Sequence, residues 1–109
     1  MALSSDLIRG SIIPIVLKLL DQQGMYGYEM VKVVNERTGG TLEWKEGTLY
    51  PALHKLEADG LIRSQWQDGG SGRRRKYYFL TRRGKAELSR RTSEWGQFSL
   101  AVNTMLAMG

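Results

Sequence analysis

Cysteine is absent from this 109-residue sequence. That excludes disulfides and thiolate metal sites and fits a reducing compartment. There is one histidine, His54; a lone imidazole with no thiol nearby makes a poor metal centre and has no nucleophile to serve. Long apolar runs are also missing. The longest, Ile12 to Leu17, contains one of the two prolines, Pro14, and falls far short of the ~20 residues that cross a bilayer. No secretory leader is visible, so the expected location is cytoplasmic, with no membrane partner. The glycine-rich stretch Asp68–Gly72 lacks the Lys-Ser/Thr and helix pattern of a phosphate-binding loop. Glu43 and Glu46 flank Lys45 without an apolar pocket to tune them, so they read as solvated carboxylates. The expectation is a non-enzyme without cofactor or metal.

Acidic residues are scarce in one region only. From Arg63 to Arg91 there are ten basic residues against Asp68 and Glu87, a net +8, whereas the remainder carries −3. The overall +5 thus hides a strongly cationic segment, which points to a polyanion. A solvated charged face is the bland alternative, but these charges surround a hairpin signal. The apolar fraction of 41% suffices for one thin core, and a chain this short commonly gains stability from a second subunit.

The stretch Glu46–Gly60 organises the rest. Leu49, Ala52, Leu53 and Leu56 recur at the spacing of one buried helical face. Thr48, Tyr50, Pro51, His54 and Lys55 occupy the other sides, and Gly60 supplies the stop. Pro51 is placed in the first turn or so, where it costs little. Before it, Ser4 or Ser5 caps a helix carrying Leu7, Ile8, Ile12, Ile15, Leu19 and Leu20. Pro14 either kinks that helix or lies in the first turn of a second one beginning near Ser11. Met25–Tyr28 is a short connection into a helix from Tyr28 to about Thr38, ended by Gly39-Gly40. Thr41–Trp44 alternates and is β-prone, a candidate short strand.

After Leu61 the period becomes two: Ile62, Ser64 and Trp66 alternate with Arg63, Gln65 and Gln67. The turn Asp68–Gly72 leads to a returning strand, Arg75–Leu80. Trp66 is expected in the core, Trp44 as packing beside the Glu46–Gly60 helix, and Tyr77 and Phe79 as cover for the hairpin. Thr81 caps a last helix reaching about Met108. Its first turn holds Arg82, Arg83 and Lys85 at the positive end of the helix dipole, which needs compensation. Further on, Leu88, Arg91, Trp95, Phe98, Val102 and Met105 fall at alternating spacings of three and four, a heptad seam broken only by Arg91. Such a seam calls for another helix, from a second copy or from the chain's own first helix. The expected fold is mainly α with a small β-hairpin: a winged helix-turn-helix over residues 1–80, then a long C-terminal dimerisation helix over 81–109.

Four blocks of residues carry a family resemblance. They are Tyr26-Gly27-Tyr28-Glu29, Gly47-Thr48-Leu49-Tyr50-Pro51-Ala52-Leu53, Leu56-Glu57-Ala58-Asp59-Gly60-Leu61-Ile62, and Gly72 through Gly84 with Arg73-Arg74-Arg75-Lys76-Tyr77-Tyr78-Phe79-Leu80-Thr81. Together they resemble the PadR family of bacterial transcriptional regulators over nearly the whole chain, and the short tail resembles the compact subclass with a single C-terminal helix. The resemblance implies a dimeric winged-helix protein, usually a repressor, that releases DNA when a small phenolic or otherwise aromatic effector binds.

The expected partner is double-stranded DNA with a pseudo-palindromic operator, its half-sites spaced about one helical turn or a multiple apart. Lys45, Thr48, Tyr50, Pro51, His54 and Lys55 form the candidate contact set in the major groove. Tyr50 suits either a thymine methyl or a phosphate. Arg73, Arg74, Arg75 and Lys76 form the wing, reaching phosphates and an adjacent minor groove. Leu88, Trp95, Phe98, Val102 and Met105 are the candidate dimer interface. The resemblance also makes Trp95 a candidate ligand residue, since paired indoles at a dimer axis can stack on a planar aromatic guest, with Leu7, Gly10, Pro14 and Ser99 lining the pore. A plain interface anchor is the alternative for Trp95. The rival functions are a winged-helix protein-interaction module and a drug-binding protein with a minor DNA role.

Overall fold

The computed structural model describes residues 3–68, 70 and 72–109. Pro14 breaks the N-terminal apolar stretch into two helices. Its ring and missing N–H are incompatible with a continuous ladder back to Gly10, so α1 (Ser5–Arg9) stops and α2 (Ile12–Gln22) starts with Pro14 in its first turn. The Ser11 hydroxyl and amide both donate to the Ile8 carbonyl, at 2.8 and 2.9 Å, which fixes the corner. Of the two sequence alternatives, the second helix is the one that forms.

Met25–Tyr26 is a strand, β1, where the sequence suggests only a connection. It leads directly into α3 (Gly27–Arg37), whose first turn is closed by the Glu29 carboxylate accepting from the Tyr26 amide at 3.3 Å. The expected strand at Thr41–Trp44 does not form. Both backbone groups of Trp44 are taken by the Asn35 side chain, which accepts from its amide at 2.7 Å and donates to its carbonyl at 2.9 Å. Glu43 adopts φ +49°, outside extended geometry. The segment is a tight loop pinned to α3, with the Trp44 ring buried.

α4 spans Glu46–Ala58, and Pro51 sits inside it, past the opening turn. There the proline removes the bond to the Gly47 carbonyl, at a position with open space around it. Gly60, at φ +77°, turns the chain into the hairpin. β2 (Ile62–Asp68) and β3 (Arg74–Leu80) pair antiparallel in the register Ile62 with Leu80 through Asp68 with Arg74, and β1 adds to the far side of β3, giving the order β1-β3-β2. Of the expected turn, Gly69 and Ser71 lie outside the described residues; Gly70 and Gly72 have positive φ.

The core joins Val16, Leu17 and Leu20 of α2 to Met30 and Val34 of α3, Leu49, Leu53 and Leu56 of α4, and Ile62 and Tyr78 of the sheet. The hairpin's buried aromatic is therefore Tyr78. Trp66 is not in the core: it is 56% exposed, because β2 runs on past the helices that cover Ile62. Tyr77 and Phe79 are half-buried on the opposite face of β3, Tyr77 edge-on to Tyr26 and Phe79 beneath the Arg63 guanidinium.

α5 (Arg82–Leu106) begins at Thr81, whose hydroxyl accepts from the Gly84 amide at 3.0 Å and donates to the Gly60 carbonyl at 2.8 Å. A Cβ on Gly84 would fall onto the Leu61 carbonyl, so glycine is what lets α5 approach the α4–β2 corner. Of the cationic first turn, Lys85 pairs with Asp21 of α2 at 3.7 Å. Leu88, a candidate for the dimer seam, is instead buried in the core of its own chain, and beyond it Trp95, Phe98, Leu100 and Met105 are exposed. No helix among the described residues is long and apolar enough to cross a membrane.

Candidate nucleic-acid interface

Burial of Leu49, Leu53 and Leu56 turns the rest of α4 outward. Lys45, Pro51, His54 and Lys55 are exposed and Thr48 is half-exposed. Lys55 lies 3.4 Å from the Asp59 carboxylate, an exposed pair one turn away that screening leaves weak. Tyr50 differs from its neighbours. Its hydroxyl abuts Gly27, where any Cβ would collide with the ring, so it spaces the first turn of α3 from α4. Burial and then the Glu46 charge raise its pKa. Tyr78 is raised in the same sense by burial, Glu57 and Tyr50. Both phenols therefore stay protonated at neutral pH.

The wing cations divide into two kinds. Lys76 reaches back to the Glu57 carboxylate of α4 at 3.9 Å, and Ser64 donates to that same carboxylate. Arg75 lies 4.5 Å over the Tyr26 ring and donates to its hydroxyl at 3.1 Å. These two fasten the hairpin to the body. Arg73 and Arg74 are exposed; among the described residues neither has a carboxylate partner. The Arg74 guanidinium stands 5.7 Å over the Trp66 ring.

Between α4 and the wing lies an open groove of about 690 Å³. Tyr28, Glu46, Tyr50, His54, Trp66 and the cations 73–76 line it, and among the described residues Glu46 is its lone carboxylate. Of the sequence-selected DNA candidates, His54, Tyr50 and the four wing cations meet here. Lys45, Thr48, Pro51 and Lys55 border a second groove of about 640 Å³ between α4 and α1–α2. Tyr28 and Trp66 are groove residues that sequence reasoning does not find. Tyr28 falls in an apparent connection, and strand alternation alone puts Trp66 in the core.

A third hollow, about 310 Å³, lies between the α1–α2 corner and α5, lined by Gly10, Pro14, Arg91, Glu94, Trp95 and Phe98. It brings three of the five candidate ligand residues together. Leu7 and Ser99 are not in its lining; Leu7 is exposed, and the Ser99 hydroxyl donates to the Gly96 carbonyl at 3.2 Å. Trp95 and Phe98 sit 5.8 Å apart between ring centroids. Arg91, the interruption in the seam, is held at 2.7 Å by Glu87 one turn back. Hydrogen bonds from Arg90 and Arg91 lower the Glu87 pKa to about 2.

Three packed helices, an outward-facing α4 and a basic two-stranded wing define a winged helix-turn-helix protein. The family model for PadR-like transcriptional regulators matches residues 16–90, and the chain belongs to that family, whose members are DNA-binding regulators and not enzymes. An uncharacterized protein X from Lysinibacillus sphaericus is 39% identical over 94% of both chains. Transcriptional regulator Rv3488 from Mycobacterium tuberculosis is 54% identical over 43 residues, 39% of each chain. Among solved structures, a transcriptional regulator from Clostridium thermocellum superposes with a TM-score of 0.84 at 35% identity, covering 94% of this chain and 96% of that one. A PadR family transcriptional regulator from Eggerthella lenta gives 0.82 at 34%, covering 95% and 88%.

Proposed function

We propose that the protein is a homodimeric repressor acting in the cytoplasm, released from a pseudo-palindromic operator by a small planar aromatic effector. The observation that carries the DNA reading is the groove where His54 and Tyr50 of α4 meet the arginine-bearing wing, with Glu46 the one carboxylate among its described lining residues, while Lys45, Thr48, Pro51 and Lys55 border the groove on the other side of α4. In this reading residues 1–80 are the DNA-binding unit. The α4 side chains Lys45, Thr48, Pro51, His54 and Lys55 face the bases, with Tyr50 at the edge of the set. Arg73 and Arg74 reach phosphates, while Arg75 and Lys76 keep the wing in place and add to the field.

Residues 81–109 are the pairing helix. Trp95, Phe98, Val102 and Met105 are 39–62% exposed along one seam, an apolar stripe that a second α5 would cover. The effector reading is supported by the hollow beside Trp95, where an indole and a phenyl ring meet Arg91 and Glu94. Such a lining suits a flat aromatic molecule carrying a polar edge. Gel shifts on the DNA upstream of the protein's own coding region, with and without a panel of planar aromatics, test both parts. The expected result is a salt-sensitive shift reversed by at least one compound. No shift at low salt contradicts the DNA reading. A shift that no compound reverses removes the effector and leaves Trp95 as an interface anchor.

A further inference from the structure

Trp66 is the largest side chain in the wing and lies more than half exposed, beside the cations. Its register partner is Lys76, and its face of the hairpin is the face of Tyr78, which is buried against the helices. Two residues further along β2 the pairing reaches Asp68 with Arg74, and there Arg74 lies over the indole. The body of the domain does not require this indole, because Ile62 and Tyr78 already close the sheet onto α4. The indole's open surface lies instead among the wing cations, with the Arg74 guanidinium over its ring.

We infer that Trp66 is a positioning residue for DNA recognition: its indole is the plate that holds Arg74 extended over the groove, and its open edge faces the sugar–phosphate strand running between α4 and the wing. This rests on the DNA reading above. An arginine on a flexible stem gives up rotamer freedom when it grips a phosphate, and stacking on a rigid ring meets part of that loss beforehand. Indole is the best of the aromatic faces for a guanidinium. Tyr28, 57% exposed, also lines this groove and adds a second exposed aromatic surface, which suits the apolar faces of deoxyriboses.

The test is a double-mutant cycle on duplex DNA from the upstream region, read as Kd and as its salt dependence. Trp66→Ala is expected to weaken binding about two- to fivefold, the scale of one exposed cation–π interaction, and to lower the slope of log K against log salt by up to about 0.9, the value of one neutralised phosphate. Arg74→Ala should do the same, and the double variant should be little worse than either single one. Trp66→Phe, which keeps a ring, should recover most of the affinity. Thermal melting should be nearly the same for all four, because the indole is not in the core. If the wild-type protein binds and Trp66→Ala binds equally well, or loses affinity additively with Arg74→Ala and without a change of slope, the inference is wrong. If the wild-type protein shows no salt-dependent binding at all, the DNA reading fails first, and the melting data report that separately from any folding defect.

Discussion

Single side chains in the wing divide the work between holding and gripping. Arg75 on Tyr26 and Lys76 on Glu57 are engaged within the fold, at 4.5 Å from the ring and 3.9 Å from the carboxylate. Arg73 and Arg74 are therefore the pair to remove. Arg73→Ala with Arg74→Ala should weaken binding to any duplex and lower the salt slope by about 0.9 for each phosphate no longer neutralised; an unchanged slope in a binding titration would detach the wing from DNA. Loss of Arg75 should act differently, loosening the hairpin as well. Gly84 is a second position where one atom decides. A Cβ there would run into the Leu61 carbonyl oxygen, so Gly84→Ala forces α5 away from the α4–β2 corner. Overpacking of this kind typically costs about 1–3 kcal/mol, so the melting temperature should fall, contrary to the usual gain from replacing a helical glycine by alanine.

At the scale of elements, α5 carries its own electrostatic brace. Glu87 accepts from Arg90 at 2.6 Å and from Arg91 at 2.7 Å, and these bonds hold its pKa at about 2 against an ordinary 4.5. A carboxylate depressed by folding contributes stability that is fully present above pH 4.5 and is lost as the pH falls towards 2. Glu87→Gln should therefore melt lower than the wild-type protein at about pH 5–7, with the gap closing as the pH approaches 2. A gap independent of pH would mean that the brace acts through packing alone. The helices and the hairpin are readable in the sequence because their signals are local and repeated: Leu49, Leu53 and Leu56 keep helical spacing, and the alternation after Leu61 changes the period at Gly60. The misreadings share a cause. Thr41–Trp44 has strand-like composition, but Asn35, nine residues before Trp44, takes the hydrogen bonds a strand would need. Trp66 alternates correctly with its neighbours, yet alternation gives the face and not how far the helices extend beneath it. Met25–Tyr26 forms a strand only because β3, far along the chain, offers it an edge. The groove between α4 and the wing is legible as a charge pattern, and its aromatic walls, Tyr28 and Trp66, are not, because they come from elements distant in sequence.

For the whole molecule, the extents of 60 × 32 × 20 Å describe a rounded winged-helix body with α5 projecting from it. Its protruding half exposes Phe98, Leu100, Met105 and Leu106 at 58% or more, a surface that a lone 109-residue chain has little reason to keep in water. Pairing along α5 would cover it and would set two copies of α4 and the wing at a fixed separation. DNA affinity then depends on the dimer, because a single unit of this size reaches only one half-site. The most direct test is the mass of the complex formed on a duplex from the upstream region, measured by sedimentation at micromolar protein. The prediction is two 12.4 kDa chains bound together to each duplex, with no stable one-chain complex on the way. A single chain per duplex, or a protein that sediments as one chain both free and with DNA, would contradict it.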